Sequence, residues 1–303
     1  MGSQSFMNLI KTFRFWISLS AILIAVGIVA IFMYGYHTGV DFSGGTIFEL
    51  QVAQPKVVET DAKLAITEAY KNKINLEVAV QSEGNDRYFI RSTQINNDQK
   101  NSLIAILQEK FDQVNELRFE TVDPTIGADV VRKAILALIL AVIGILLYVA
   151  YAFRRVPGEV SAWRFGSAAV LALVHDVLIL LGIYAIVGKF WGAEVDSMFI
   201  TALLTLIGFS VHDTIVTFDR VRENLRRRAG EDLVILLNDS IIETIVRSIN
   251  TSFTLFLVLV AMFFFGGPTL KFFTLAMIIG VVVGTYSSVF IASPLLLAGY
   301  KKH

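Results

Sequence analysis

Six apolar runs constrain this chain more than any other feature. A helix crossing a hydrocarbon core of about 30 Å needs roughly 20 mostly apolar residues. The runs 15–34, 134–153, 166–187, 198–218 and 272–297 reach that length, and a shorter one covers 253–265. Composition agrees: 55% of residues are hydrophobic and 17% charged, against about 25% charged in ordinary soluble domains. The expected fold is an α-helical membrane protein with six transmembrane helices. The first run is too long for a secretion signal and lacks a small-residue cleavage site, so it reads as an anchor. Residues 1–6, ahead of the second methionine, read as a cloning remnant.

Basic residues in the short flanks set orientation. One side collects Lys11, Arg14, Arg154, Arg155, Arg164, Arg220, Arg222, Arg226, Arg227, Arg228, Arg247, Lys301 and Lys302; the short loops opposite hold Lys189 and Lys271. Both termini are therefore expected in the cytoplasm, which an even number of spans requires. The predicted layout is a cytoplasmic segment 1–14, a first span 15–36, an outer domain 37–130, a five-helix region 131–298 and a tail 299–303. A cytoplasmic loop is expected at 219–243.

The shortness of the fifth run is informative. Thirteen residues, 253–265, cover about 20 Å at 1.5 Å each. The helix must extend backwards through Thr244, Arg247, Ser248, Asn250, Thr251 and Ser252. Arg247 then lies at or inside the membrane boundary, or snorkels to the headgroups.

Between positions 37 and 133 the pattern turns soluble. Residues 46–52 are β-rich, 59–70 helical, 76–81 and 87–91 alternate around Gly84-Asn85-Asp86, 98–111 is amphipathic, and 117–122 alternates until Pro124 stops it. Strand, helix, strand, strand, helix, strand is the order of a ferredoxin-like α+β domain. It shows no metal cluster, phosphate loop or nucleophile–base pair, so it reads as a docking module. Gly39 through Thr46 reads as the turn joining span to domain.

Ionisable groups at membrane depth are costly and mark function by default. Asp176 lies near the middle of the third span with His175 beside it, and Asp213 lies in the fourth with His212, Thr214 and Thr217 around it. Arg247 is expected at the depth of Asp213, as its ion-pair partner. The pair reads either as static helix glue or as a carboxylate whose partner changes with protonation. His212 and Thr217 are candidate relay groups; Asp219 reads as a solvated charge. Gly280 and Gly284 form a small-xxx-small face for close helix approach.

Zero net charge argues against a nucleic-acid partner, and the absence of cysteine excludes thiol chemistry. No cofactor or metal is expected, and no ATP-binding signature is present.

Several of these segments resemble motifs of the bacterial SecD/SecF family of protein-export subunits. They are Gly39-Val40-Asp41-Phe42-Ser43-Gly44-Gly45-Thr46, Leu173-Val174-His175-Asp176, residues 208–224, Arg247-Ser248-Ile249-Asn250-Thr251-Ser252 and residues 284–294. The short outer domain points to the SecF branch. The resemblance implies a chain that spans the inner membrane with a periplasmic domain and is not an enzyme. It implies one half of a twelve-span assembly of the resistance-nodulation-division superfamily, with SecD as the other half. That assembly works beside SecYEG and uses a proton or sodium gradient to help preproteins outward. The resemblance also places Asp213 and Arg247 in an ion-coupling site beside a SecD carboxylate; Asp176 joins them on grounds of depth. Two other functions compete. A self-contained small-molecule exporter would need two six-span halves in one chain, and a passive scaffold would leave the intramembrane charges without a purpose.

Overall fold

The computed structural model describes residues 12–53, 59–74, 78–83, 86–111, 113–156 and 160–298. In chain order the elements are α1 (Phe13–Tyr34), β1 (Gly45–Ala53), α2 (Glu59–Ile74), β2 (Ala79–Glu83), β3 (Arg87–Ser92), α3 (Asn97–Lys110), β4 (Gln113–Val122), α4 (Pro124–Ala152), α5 (Ala162–Trp191), α6 (Ser197–Arg227), α7 (Leu233–Phe265) and α8 (Pro268–Ser287). Six of these, α1 and α4 to α8, are long and apolar enough to cross a membrane. Two compact units result, Thr38–Ile135 and a bundle of the chain on either side of it.

In the first unit the strand order is β2-β3-β1-β4, all antiparallel, the ferredoxin-like arrangement. Alternation along β1 sends Phe48, Leu50 and Val52 to one face, where Ile66, Tyr70, Leu103 and Leu107 of α2 and α3 bury them. A bulge opposite Glu49 and Leu50 leaves Leu117 as an extra residue on β4. Phe119 then meets Phe48 edge-on, with ring centroids 5.5 Å apart. A capping box starts α3: Asn96 accepts from the Gln99 backbone, and the Gln99 side chain answers the Asn96 backbone. The expected turn at Gly84 and Asn85, and the start of the strand expected at 76, lie outside the described residues.

Residues 39–46 make one helical turn, Val40–Ser43, followed by Gly44 and Gly45 at φ of 72° and 135°. A Cβ on Gly44 would sit 2.7 Å from Pro124 Cα, and one on Gly127 2.5 Å from Phe42 O. Side chains are excluded here because the incoming and outgoing chains of the domain cross in backbone contact.

In the bundle, half or more of the most apolar stretch of α5, α6 and α8 is buried, but only 11–17% of that of α1, α4 and α7. The first three are its core. Phe153, Phe165 and Phe218 pack as one aromatic cluster, stacked at 4.8 Å and edge-on at 5.2 and 6.0 Å. Such pairs contribute about 0.5–1.5 kcal/mol each beyond area burial. α1 crosses α5 where Gly27 meets Gly182, so closely that a Cβ on Gly182 would lie 2.4 Å from Gly27 Cα. Near its end α8 continues through a π turn, Ser288–Ala292, to Leu295. The turn accommodates Pro294, which cannot donate a backbone bond.

The expected loop at 219–243 is helical apart from 228–232. α6 and α7, of 31 and 33 residues, are about 46 and 50 Å long and outrun a bilayer core. Their ends are joined by Arg220 to Glu243 at 2.5 Å, Arg228 to Asp239 at 2.7 Å, and Asn224 to Ser240 at 2.9 Å, and within α6 Arg220 also pairs with Glu223 at 2.5 Å. Charged residues made this stretch read as loop, whereas their spacing pairs them within and between two helices.

Candidate ion-coupling site in the helix bundle

Asp213 lies 16 residues into α6 and 14 from its end, counting from Ser197 and Arg227. It is 1% exposed. Its Oδ2 accepts a hydrogen bond from Ser252 on α7 at 3.2 Å. Ser252 is in turn 2.7 Å from the Thr285 hydroxyl of α8. Ser248, one helical turn before Ser252, turns its buried hydroxyl toward the same carboxylate without closing a hydrogen bond. Among the described residues Asp213 has no cationic partner within ion-pair distance.

The expected Asp213–Arg247 pair does not form within the chain. Arg247 is exposed, and its side chain makes no hydrogen bond or ion pair among the described residues. Helical phase explains this. Ser248 and Ser252, four residues apart, share the face toward Asp213, and Arg247 is rotated about 100° from it. His212, by the same rotation on α6, is exposed and makes no side-chain bond among the described residues. Depth was legible in the sequence, but azimuth was not.

Thr217 is buried one turn beyond Asp213. Its hydroxyl donates to Asp213 O at 3.4 Å and lies 3.5 Å from Thr244 Oγ1. With Asn224, Ser240 and Glu243 it forms a polar seam between α6 and α7, from Asp213 toward the charged helix ends. Asp219 sits outside, 58% exposed and paired with Arg222 at 2.5 Å.

Asp176 is halfway along α5, 14 residues from Ala162 and 15 from Trp191, and fully buried. It occupies a separate site. Ser210 of α6 and Ser287 of α8 donate to Oδ2 at 2.5 and 2.8 Å, and His175 Nδ1 lies 2.8 Å from Oδ1. Three partners from three helices satisfy this carboxylate, whereas Asp213 has one. Sequence reading missed Ser210, Ser287, Ser248 and Ser252 as site residues. The available signal was small hydroxyl side chains at four-residue and single-turn spacing beside each aspartate.

Gly280 and Gly284 face α6 of the same chain. A Cβ on Gly280 would meet Leu206 at 2.7 Å, and one on Gly284 would meet Ser210 at 3.1 Å. The close helix approach expected at these glycines is made by α6 of the same chain, and it brings Ser287 to Asp176.

Residues 102–302 match the family described as protein export membrane protein SecD/SecF, C-terminal, and residues 39–56 match its GG motif. A protein translocase subunit SecF of Thermobaculum terrenum is 43% identical over 296 residues, covering 94% of this chain and 91% of that one. A protein translocase subunit SecDF of Brucella abortus is 35% identical and covers 91% of this chain, which spans 35% of it. The crystal structure of SecDF from Thermus thermophilus, a translocon-associated membrane protein, superposes with a TM-score of 0.81 at 31% identity. It covers 96% of this chain, and the chain spans 38% of it. This chain therefore belongs to the SecD/SecF family of protein-export membrane proteins, as a subunit of the SecF type.

Proposed function

We propose that this chain is the SecF half of a unit that uses an ion gradient to promote preprotein translocation beside SecYEG. Asp213 binds and releases the driving ion, H⁺ or Na⁺. The observation that carries this reading is the carboxylate of Asp213, buried at mid-helix with one side-chain hydrogen bond and no counter-ion among the described residues. A lone carboxylate in a low-dielectric interior is stable only when a proton or cation neutralises it. The site therefore holds its ion until a countercharge from outside this chain takes the ion's place.

The countercharge and the missing half come from SecD. Arg247 and His212 are exposed on membrane-crossing helices, where an unpartnered polar group is expensive. An acidic residue of SecD opposite Arg247 would match it. That the SecDF relatives carry a SecF-like region as about a third of one chain supports the same partnership. The polar seam through Thr217 supplies a path for the ion on one side of Asp213. Asp176, saturated by its own partners, takes part through the packing of α5, α6 and α8. The excess of arginine at one set of helix ends supports a location in the inner membrane with that side and both termini cytoplasmic and the α+β unit periplasmic.

The test is preprotein export into vesicles holding this chain, SecD and SecYEG under separately imposed proton and sodium gradients. Wild type should respond to one gradient, and Asp213→Asn should abolish that response with the protein still assembled. A full response in Asp213→Asn would return the chain to a scaffold role.

A further inference from the structure

One chain of hydrogen bonds in the bundle starts at Asp176, apart from Asp213, and ends on α1. His175 Nε2 lies 2.8 Å from the Tyr286 hydroxyl of α8. That hydroxyl forms a short hydrogen bond with Ser20 of α1, which is buried. From Asp176 the line therefore runs through His175 and Tyr286 to Ser20, touching α5, α8 and α1.

We propose that His175 and Asp176 are a second proton-binding site, separate from Asp213, whose protonation state is relayed to α1 by a reversal of hydrogen-bond direction through Tyr286 and Ser20. The proposal rests on the reading of the chain as an ion-driven subunit. His175, Tyr286 and Ser20 can each exchange donor and acceptor roles, while the Asp176 carboxylate accepts throughout. With His175 neutral, Nδ1–H donates to Asp176, Nε2 accepts from Tyr286 O–H, and Tyr286 accepts from Ser20 O–H. One proton arriving at Nε2 reverses the last two bonds. Nε2–H then donates to Tyr286, and Tyr286 O–H donates to Ser20. No bond is lost, and the carboxylate stays held by Ser210 and Ser287. The added proton closes a His⁺–Asp⁻ pair of zero net charge, where the empty site carries one negative charge.

Facing the site are Ser210 from α6, Ser287 and Tyr286 from α8, and Ser20 from α1; among the described residues its titratable members are His175, Asp176 and Tyr286. Asp213, three residues after Ser210, bonds instead to Ser252 of α7. The target helix is also apt. α1 ends at Tyr34 and the α+β unit begins at Thr38, so α1 is the covalent lead into that unit. Trp16, one turn before Ser20, stacks on Phe290 at 4.1 Å and lies 5.9 Å from Tyr286.

Trp16 gives the readout. The chain has three tryptophans, so Trp163→Phe with Trp191→Phe leaves Trp16 alone. Its emission is followed in the full chain in lipid nanodiscs from about pH 5 to 9, the range that brackets an ordinary histidine. The expected result is a single-step change that disappears in His175→Gln and in Tyr286→Phe, and survives in Asp213→Asn. A flat trace in the otherwise wild-type chain would overturn the proposal, as would a step that persists in either loss variant. Asp213→Asn is expected to lose gradient-driven export yet keep the Trp16 step, so failure of one reading is distinguishable from failure of the other.

Discussion

A double-mutant cycle between Asp213 and Arg247 distinguishes the observed geometry from an ion pair within the chain. Breaking a buried pair from one side costs about 3–5 kcal/mol, and the two groups of such a pair couple strongly. Here Ser248 and Ser252 present themselves to Asp213, while Arg247 is exposed about 100° around α7. Sites with no shared partner add to within about 0.5 kcal/mol. Arg247→Gln removes a charge exposed on a membrane-crossing helix and should leave the isolated chain no less stable than wild type. Asp213→Asn keeps an oxygen for Ser252 and removes a buried charge held by one 3.2 Å hydrogen bond. It should be neutral or stabilising by about 1 kcal/mol. Reversible unfolding of wild type, both singles and the double, in mixed micelles of increasing denaturing-detergent fraction, yields the coupling energy. The expected coupling is below about 0.5 kcal/mol, with gradient-driven export lost in both singles. A coupling above about 1.5 kcal/mol in the isolated chain would mean that Arg247 contacts Asp213 and would refute the assigned helix phase.

Gly182→Ala should lower the stability of the bundle by about 1–3 kcal/mol, because its Cβ would lie 2.4 Å from Gly27 Cα. Gly144→Ala, with nothing within 4 Å, should cost nothing in the same unfolding assay. In residues 38–135 expressed alone, circular dichroism should show a cooperative α/β unfolding transition; a chain without one would contradict the separate core. Within that unit the Tyr70 hydroxyl is buried near Ser92 and closes no hydrogen bond among the described residues, and burial pushes its phenol above the ordinary value. Its contribution is then full below about pH 10 and fades as pH rises toward the folded-state value. Tyr70→Phe should gain up to about 1 kcal/mol at neutral pH and lose less stability under alkali, both read by thermal melts. Because the chain has no native cysteine, single cysteines can be placed directly. Crosslinks from position 208, exposed with nothing near its Cβ, should reach SecD, whereas position 284, packed on Ser210, should give none.

Much of this protein is decided locally along the chain. Apolar runs longer than a bilayer core must become spanning helices, since lipid offers backbone groups no other partner. Alternation in β1 and the amphipathic pattern of α3 are likewise properties of short segments, which is why the strand order of the α+β unit was readable. So was the depth of each intramembrane aspartate, because depth is a count of residues along a helix. Which way a side chain points around the helix, and toward which neighbour, depends on how helices from distant parts of the chain cross. Arg247 and His212 were assigned inward by depth, yet one residue of rotation puts both outside. Gly280 and Gly284 showed that something packs closely, and only the crossing of α8 over α6 identified it. The same crossing delivers Ser287 and Ser210 to Asp176, and Tyr286 to His175 and Ser20. These residues, whose bonded pairs lie up to 266 positions apart, become one site through tertiary packing, which no local periodicity encodes.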